Sequence, residues 1–274
     1  MGDLLRLVRA HNLLLAAAGV LAGGWIALGG LTTPKLVVFA AVAAVGFGAA
    51  GNTLNDLCDQ AADRVNRAPG ERPLAAGRVS RGTAELCVVG GALLGLAAAA
   101  LVSGTALLVG LAALGVMMAY SPLLKARGLP GNGAVALVAG LPLAYGALAA
   151  GRPAQGLVPW ILAAWIHLVR EIVKDIEDVA GDRVVARRTL PITLGERGAA
   201  RVAAALALGF LPASILLPGA AQYGGAYYVV ALFAQLLVVL VASRLITGTM
   251  RRNSLLLKGA MLVGIVALVA GRAA

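Results

Sequence analysis

The sequence predicts an all-α, polytopic membrane protein with nine transmembrane helices. The chain of 274 residues is 60% hydrophobic and 13% charged, whereas a soluble domain carries about 25% charged residues. Apolar runs of roughly 18 residues or more recur along the whole length, which is the length of helices that cross a bilayer. The 36 glycines agree with this class, because small residues let membrane helices pack closely.

The predicted spans follow one another along the chain with short connections. The third and fourth spans are separated only by the tripeptide SGT, which predicts a tight turn. No polar stretch is long enough to form a soluble domain. The nine spans cover residues 11–31, 35–57, 84–102, 104–120, 131–150, 157–180, 196–217, 225–246 and 253–271.

Basic residues are concentrated in alternate loops. The N-terminus and loops 58–83, 121–130, 181–197 and 244–253 carry most of them, and the opposite side carries mainly Lys35, Arg152 and Arg272. By the positive-inside rule, we expect the N-terminus and the long charged loops in the cytoplasm and the C-terminus outside the cell membrane. The same rule explains the net charge of +11, so no nucleic-acid partner is expected.

Acidic residues are rare, and most of them fall in two short segments. The chain has 12. In the first segment, Asp56, Asp59 and Asp63 are spaced i, i+3, i+7, and Asn52 lies one turn earlier. On a helix, these four side chains share one face. The same reasoning predicts one shared face in the second segment, where the spacing is i, i+4, i+7, i+11 for Glu171, Asp175, Asp178 and Asp182.

Each acidic segment ends a predicted span on the cytoplasmic side, so the two carboxylate faces can meet there. Carboxylates gathered in this way repel one another, and one at the bilayer centre costs about 2.5–3.5 kcal/mol. Hard divalent cations offset both costs, because Mg²⁺ is typically held by one or two carboxylates together with substrate phosphates. Nearby arginines and lysines would bind the remaining phosphate oxygens. The pattern therefore predicts a magnesium–phosphate site.

Two other interpretations fit part of this pattern. In the first, the acids are charges at helix ends that are solvated at the membrane interface and have no functional role. This interpretation would explain a lone aspartate better than seven acids on the same faces of two helices. A cation or proton transporter is the second alternative, because intramembrane carboxylates often mark ion pathways. Against transport, the acids lie at one face of the membrane, and no corresponding group lies at the opposite face.

Four motifs resemble those of the UbiA-type intramembrane prenyltransferases. NDLCDQAAD (55–63) is similar to their first acidic motif, and DIEDVAGD (175–182) is similar to the second. YSPLLK (120–125) resembles a tyrosine/lysine loop of the family, and RTLPITLG (188–195) resembles the segment that follows the second motif. The resemblance covers almost the whole chain, and it implies a single transmembrane prenyltransferase domain over residues 1–274.

The resemblance implies a lipid-biosynthetic enzyme that binds a polyprenyl diphosphate through Mg²⁺ and passes the prenyl group to a lipophilic acceptor. The hydrocarbon chain would lie in a tunnel that faces membrane lipid. The metal ions would be organised by Asp56, Asp59, Asp63, Asp175, Asp178 and Asp182. Asn52, Asn55 and Glu171 would support these aspartates. The diphosphate would be contacted or oriented by Arg67, Arg72, Tyr120 and Lys125.

Two segments narrow the resemblance within the family. REIVKDIEDVAGD and LLRLVRAHNLLLAAAGVLAGGWIA are most similar to the members that transfer geranylgeranyl to geranylgeranylglyceryl phosphate, a step of ether-lipid synthesis. An anionic acceptor would suit Arg9, with Asn12 beside it, although Arg9 also fits an interface anchor. The alternative acceptor is an aromatic acid such as 4-hydroxybenzoate, as in quinone pathways.

One loop departs from the family pattern. Relatives usually follow the first acidic motif with a compact N-x-P-x-R-P-[IL]-P-S-G. Here residues 66–77 read NRAPGERPLAAG, which is longer by about two residues and has Ala75 and Ala76 in place of Pro–Ser. Arg72 and Pro73 are retained. The departure leaves the separate roles of Arg67 and Arg72 open.

Overall fold

A computed structural model describes residues 2–30, 34–68 and 71–272. Within these ranges the chain is helical, without β-strands. Two short segments, the π-helical turn Tyr120–Leu124 and the 3₁₀ turn Lys125–Arg127, lie between the helices that end at Ala119 and begin at Leu129. The α-helices are α1 Gly2–Leu7, α2 Ala10–Leu28, α3 Lys35–Asn66, α4 Arg81–Val102, α5 Gly104–Ala119, α6 Leu129–Ala149, α7 Leu157–Glu177, α8 Val179–Val184, α9 Leu190–Ala220, α10 Gly225–Ile246 and α11 Asn253–Ala270.

In the described part of the chain, nine helical segments are long and apolar enough to cross a membrane. Their number and order confirm the prediction, and only their ends differ. α3 continues to Asn66, so the first acidic motif lies inside a helix and not at the end of one at residue 57. α9 begins at Leu190 with Pro191 in its first turn, a position that proline favours, and Gly195 interrupts it with φ 74° and ψ 159°. The continuous part of this helix therefore begins near residue 196, as predicted. The predicted end of the first span, residue 31, lies outside the described residues.

The second acidic motif does not form one continuous helix. α7 ends at Glu177, Asp178 adopts φ −101° and ψ 6°, and α8 begins at Val179. The prediction of a span through residue 180, with four acids on one helical face, is therefore wrong. Asn66 of α3 holds this break, because it donates to the carbonyl of Asp178 at 2.9 Å and accepts from the Gly181 N–H at 2.8 Å. The Gly181 N–H thereby gains a partner that the break would otherwise deny it, and the Asp178 carbonyl, which also accepts from the Asp182 N–H at 3.2 Å, gains a second donor.

Close helix packing rests on small residues, as predicted. α3 packs on α4 so tightly that a Cβ on Gly46 would lie 2.5 Å from the backbone nitrogen of Gly95. α2 and α6 meet in the same manner, because a Cβ on Gly146 would lie 1.9 Å from the carbonyl oxygen of Val20. The backbones of these helix pairs approach each other at distances that no larger residue allows.

A polar contact joins α9 to α10 inside the bundle. Pro218 has no N–H, so it leaves the carbonyl of Ser214 without its helical donor. The hydroxyl of Tyr227 donates to this carbonyl at 2.6 Å, and Gln235 donates to the Ser214 hydroxyl at 2.9 Å. These contacts stabilise the proline-containing helix far along the chain from the acidic motifs.

Candidate active site

A polar pocket lies where α3 and α7 end and α8 begins, and we call it the acidic pocket. It encloses about 310 Å³, including its open mouth. Residues from both acidic motifs and from several basic segments contribute to it, so the structure brings the two motifs together. The lining residues are Arg9, Asn55, Asp59, Ala62, Asp63, Asn66, Arg67, Arg72, Lys125, Lys174, Asp178, Asp182 and Arg187.

The aspartates of the first motif are buried and paired with cations. Asp59 accepts from Lys125 at 2.5 Å and also from Arg187. Asp56 accepts from Arg9 and lies 3.6 Å from Arg72. A buried charge destabilises the fold unless it is paired, so these contacts allow carboxylates to occupy the interior of a hydrophobic bundle.

The acids of the second motif have different partners. Asp178 accepts from Arg67 at 2.7 Å, and Asp182 accepts from Arg187 at 3.0 Å. Asp175 accepts from the buried amide of Asn132 at 3.0 Å, and Glu171 pairs with basic residues of its own helix. Asp178 and Asp182 line the acidic pocket, whereas Asp175 and Glu171 lie behind its wall.

Two arginines join the motifs to each other. Arg187 contacts Asp59 of the first motif and Asp182 of the second. Arg67 contacts Asp178 at 2.7 Å and lies 3.7 Å from Asp63. Burial alone would lower the pKa of each guanidinium, but the facing aspartates raise the pKa of Arg67 and of Arg187 above the usual value. Both side chains therefore remain charged.

Arg72 differs from Arg67 in its surroundings. It lies beside the first motif only, 3.6 Å from Asp56 and 3.7 Å from Asp63. Burial and the neighbouring Arg9 guanidinium lower the pKa of Arg72. Arg67 thus spans the pocket between the motifs, whereas Arg72 and Arg9 form a cationic pair on one wall.

Asn55 and the segment after α5 organise this wall. The Asn55 amide donates to Asp59 and to the Ser121 hydroxyl, each at 2.9 Å, and its oxygen accepts from Arg9 at 2.7 Å. Tyr120 is buried at the start of the π-helical turn that leads to Lys125. The predicted tyrosine/lysine segment therefore delivers Lys125 to the pocket, while Tyr120 packs behind the lining residues.

Six predicted residues lie outside the pocket lining, namely Asn12, Asn52, Asp56, Tyr120, Glu171 and Asp175. Asn52 donates to the carbonyl of Val8 at 3.0 Å, and so holds the break between α1 and α2 where Arg9 adopts a left-handed conformation with φ 55°. Asn12 makes no side-chain hydrogen bond within the described ranges and does not line the pocket. Asn52 therefore positions Arg9 from a distance, and Asn12 contacts the site through its backbone N–H, which donates to the Arg9 carbonyl at 2.7 Å.

Three residues of this site are not predicted from the sequence. Arg187 lies in a basic loop, Asn66 begins the loop that departs from the family pattern, and Asn132 lies in a predicted span. A local signal existed for Asn66, because it continues the helical face of Asp59 and Asp63 at i+7 and i+3. Arg187 and Asn132 come near the aspartates only through tertiary packing, so spacing gives no indication of them.

The carboxylates in and beside the pocket fit a hard divalent cation. One oxygen each of Asp56, Asp63 and Asp182 is buried without a hydrogen-bond partner. All available ligands are carboxylate or amide oxygens, the donor set that Mg²⁺ prefers. Among the described residues, no three acidic, histidine or cysteine side chains are grouped closely enough to hold a metal ion, because arginines and Lys125 lie between the carboxylates.

Comparison with known proteins gives one consistent result. The model of the UbiA prenyltransferase family matches residues 16–267. A digeranylgeranylglyceryl phosphate synthase of Thermococcus gammatolerans is 37% identical over 95% of both chains. One from Methanopyrus kandleri is 35% identical over 97% of both.

Solved structures share the fold. The apo structure of a UbiA homolog from Aeropyrum pernix K1 has a TM-score of 0.80 at 22% identity, over 95% of this chain and 97% of that one. A UbiA homolog from Archaeoglobus fulgidus bound to GPP and Mg²⁺ has a TM-score of 0.62 at 18% identity, over 98% of each chain. These likenesses extend over essentially the whole helical bundle.

Proposed function

The chain belongs to the UbiA prenyltransferase family, and on this premise we propose that it transfers a geranylgeranyl group from its diphosphate to geranylgeranylglyceryl phosphate. The product would be a precursor of ether lipids. The observation that carries the proposal is the acidic pocket, in which both acidic motifs meet around Arg67 and Arg187. The names of the relatives at 35% and 37% identity support this choice of acceptor. Membership of an enzyme family removes the transporter interpretation.

The cations of the acidic pocket suit the diphosphate of the prenyl donor. The Nε atoms of Arg9, Arg67 and Arg72 are buried and have no hydrogen-bond acceptor, so each has a donor to offer to a phosphate oxygen. Lys125 and Arg187, which now contact Asp59, would turn towards phosphate when the donor binds. Arginine is well suited to such contacts because its fork of N–H groups matches phosphate oxygens.

The carboxylates suit the divalent metal that the family uses, and we propose that this metal is Mg²⁺. Asp56, Asp63 and Asp182 have free buried oxygens and would hold it with the other aspartates of the two motifs. When bound, the metal would offset the charge that develops on the leaving diphosphate. The apolar helices around the pocket exclude water, which would otherwise capture the prenyl cation.

The reaction balances without a further reactant. The bond between C1 of the prenyl chain and the diphosphate oxygen breaks, and the diphosphate keeps the electron pair. The free hydroxyl oxygen of the acceptor forms the new bond to C1 and releases its proton. By the positive-inside argument, we place the pocket and the N-terminus on the cytoplasmic side of the cell membrane and the C-terminus outside.

A comparison of acceptors tests the proposal. Purified protein in nanodiscs would be incubated with Mg²⁺, labelled geranylgeranyl diphosphate and either geranylgeranylglyceryl phosphate or 4-hydroxybenzoate. We expect labelled lipid product from the glyceryl phosphate acceptor and none from the aromatic acid. Product from 4-hydroxybenzoate alone would replace the proposed acceptor with a quinone precursor.

A further inference from the structure

A second group of basic residues lies beside the acidic pocket. It consists of Arg170 and Lys174 on α7 and Lys258 on α11, and we call it the cationic cluster. α11 packs against both α7 and α2, which brings Lys258 close enough to interact electrostatically with Arg170, Lys174 and Arg9. The fold therefore gathers positive charges from α7, α11 and the break between α1 and α2, although charges of like sign repel.

The contact between α7 and α11 is fixed by a helix cap. Glu177, the last residue of α7, accepts from the Ser254 N–H at 3.1 Å and from the Ser254 hydroxyl at 2.5 Å. Ser254 lies in the first turn of α11, and Lys258 is four residues further on, so both occupy the same face of that helix. The cap therefore directs the face that carries Lys258 towards α7.

The cationic cluster has more positive charge than its neighbours offset. Glu171 pairs with Arg170 at 2.9 Å and with Lys174 at 3.4 Å. Within the described ranges, Lys258 makes no hydrogen bond or ion pair, and the buried Nε of Arg170 has no hydrogen-bond partner. Asp175 also interacts electrostatically with Lys174. Three cations thus face two carboxylates, and Lys258 has no ion-pair partner among the described residues, which leaves a surplus of positive charge.

All three side chains of the cationic cluster are half-buried. Arg170 is seven residues before the end of α7 and Lys258 is five residues after the start of α11, or about 10 Å and 8 Å along their axes. An uncompensated charge at such depth destabilises a membrane protein and usually marks a functional site. An anionic ligand would offset the surplus.

We propose that the cationic cluster binds the phosphate group of the acceptor lipid. This inference rests on the proposed function, in which the acceptor carries a phosphate monoester of charge about −1.5 to −2 at neutral pH. Lys174 also lines the acidic pocket, so the acceptor phosphate would lie next to the diphosphate site. The cluster then selects acceptors that carry a phosphate and holds their free hydroxyl near the reacting carbon.

Acceptor kinetics test this inference. Lys258→Met keeps the length of the side chain and removes its charge, and Arg251→Met removes an exposed charge near the same end of α11 as a matched control. We expect Lys258→Met to raise the KM for geranylgeranylglyceryl phosphate about tenfold, as for the loss of one charge-assisted hydrogen bond. The KM for geranylgeranyl diphosphate should not change, and Lys258→Arg should restore the acceptor KM.

A neutral acceptor and nanodiscs of neutral lipid distinguish the phosphate of the acceptor from the headgroup of a membrane lipid as the ligand of Lys258. Geranylgeranylglycerol lacks the phosphate, so Lys258→Met should not alter its use. If Lys258 instead anchors an anionic lipid headgroup, the effect of the variant will vanish in nanodiscs of neutral lipid, and the inference is overturned. In neutral nanodiscs we expect the tenfold increase to persist.

Further outcomes distinguish a failure of this inference from a failure of the proposed function. An equal acceptor KM in Lys258→Met, Arg251→Met and wild type would overturn the inference while leaving the proposed function intact. If Lys258→Met does not fold, Arg170→Gln must give the same selective increase in KM. Failure of the wild-type protein to use the glyceryl phosphate acceptor at all would instead refute the proposed function.

Discussion

The guanidinium of Arg187 contacts the carboxylate of Asp59, although the two residues are 128 positions apart in the chain. Through its second nitrogen Arg187 also contacts Asp182 at 3.0 Å. One side chain therefore links α3 to α8 across the acidic pocket. Both aspartates are buried, so removal of this arginine would leave Asp182 without its ion pair and Asp59 with Lys125 as its remaining cation.

Arg187→Gln should lower kcat by about 10²–10³-fold, the range seen when one stabilising donor to a developing anion is removed. The variant loses both the link between the motifs and a donor for the leaving diphosphate. The measurement is diphosphate release under saturating substrates. Arg183→Gln removes an exposed charge from the same segment and serves as the control. Equal rates in both variants would show that Arg187 has no role in the site.

Asn66→Ala should destabilise the protein by roughly 1–3 kcal/mol, because it leaves the N–H of Gly181 without a partner and removes one of the two donors to the carbonyl of Asp178. Thermal unfolding in detergent would measure the loss. Val65→Ala, at an exposed position of the same helix, is the control. An unchanged unfolding midpoint in Asn66→Ala would mean that the break between α7 and α8 does not depend on this side chain.

Tyr227→Phe should lower the stability by about 0.6–1.7 kcal/mol, the range measured for hydrogen bonds between membrane helices. Pro218 has no N–H to donate to the Ser214 carbonyl, so the variant also removes the hydroxyl that replaces this donor. The control is Tyr228→Phe, because the Tyr228 hydroxyl of the wild type makes no hydrogen bond among the described residues. The unfolding curves of the two variants would be compared. Prenyl transfer should be the same in both, and a selective loss of activity in Tyr227→Phe would contradict a purely structural role.

Removal of divalent metal should stop prenyl transfer without unfolding the protein. Arginines and Lys125 pair with the carboxylates of the acidic pocket, so their charge is offset by residues of the chain. Turnover and the unfolding midpoint would be measured with and without a chelator, and activity should return when Mg²⁺ is added. A large fall in the midpoint would show that the metal is needed for the fold.

Much of this architecture is predictable from the sequence, because hydrophobic length and charge position are local properties. The nine spans and the helical spacing of Asp56, Asp59 and Asp63 follow from them directly. The break at Asp178 does not, because the local spacing is that of a continuous helix. The amide of Asn66 on another helix provides hydrogen bonds that stabilise the interruption, and such long-range contacts are not encoded in a local pattern.

The arginines of the acidic pocket are also not predictable from local sequence patterns. Arg187 and Arg67 are loop residues in the sequence, and the positive-inside rule explains them without any role in a site. Their pairing with acids of both motifs becomes evident only when α3, α7 and α8 are packed together. The proposed roles of Arg9, Tyr120 and Glu171 remain predictions, with Arg9 in the pocket wall and the other two behind it.

The central claim is that the acidic pocket carries out geranylgeranyl transfer to geranylgeranylglyceryl phosphate. The most direct measurement is the rate of labelled product formation by wild type, Asp59→Asn and Glu85→Gln in nanodiscs. Glu85 is exposed and pairs only with Arg81 among the described residues, so its variant controls for the loss of an acid. We predict full activity for wild type and Glu85→Gln and no product from a folded Asp59→Asn protein. Undiminished product from Asp59→Asn would contradict the account.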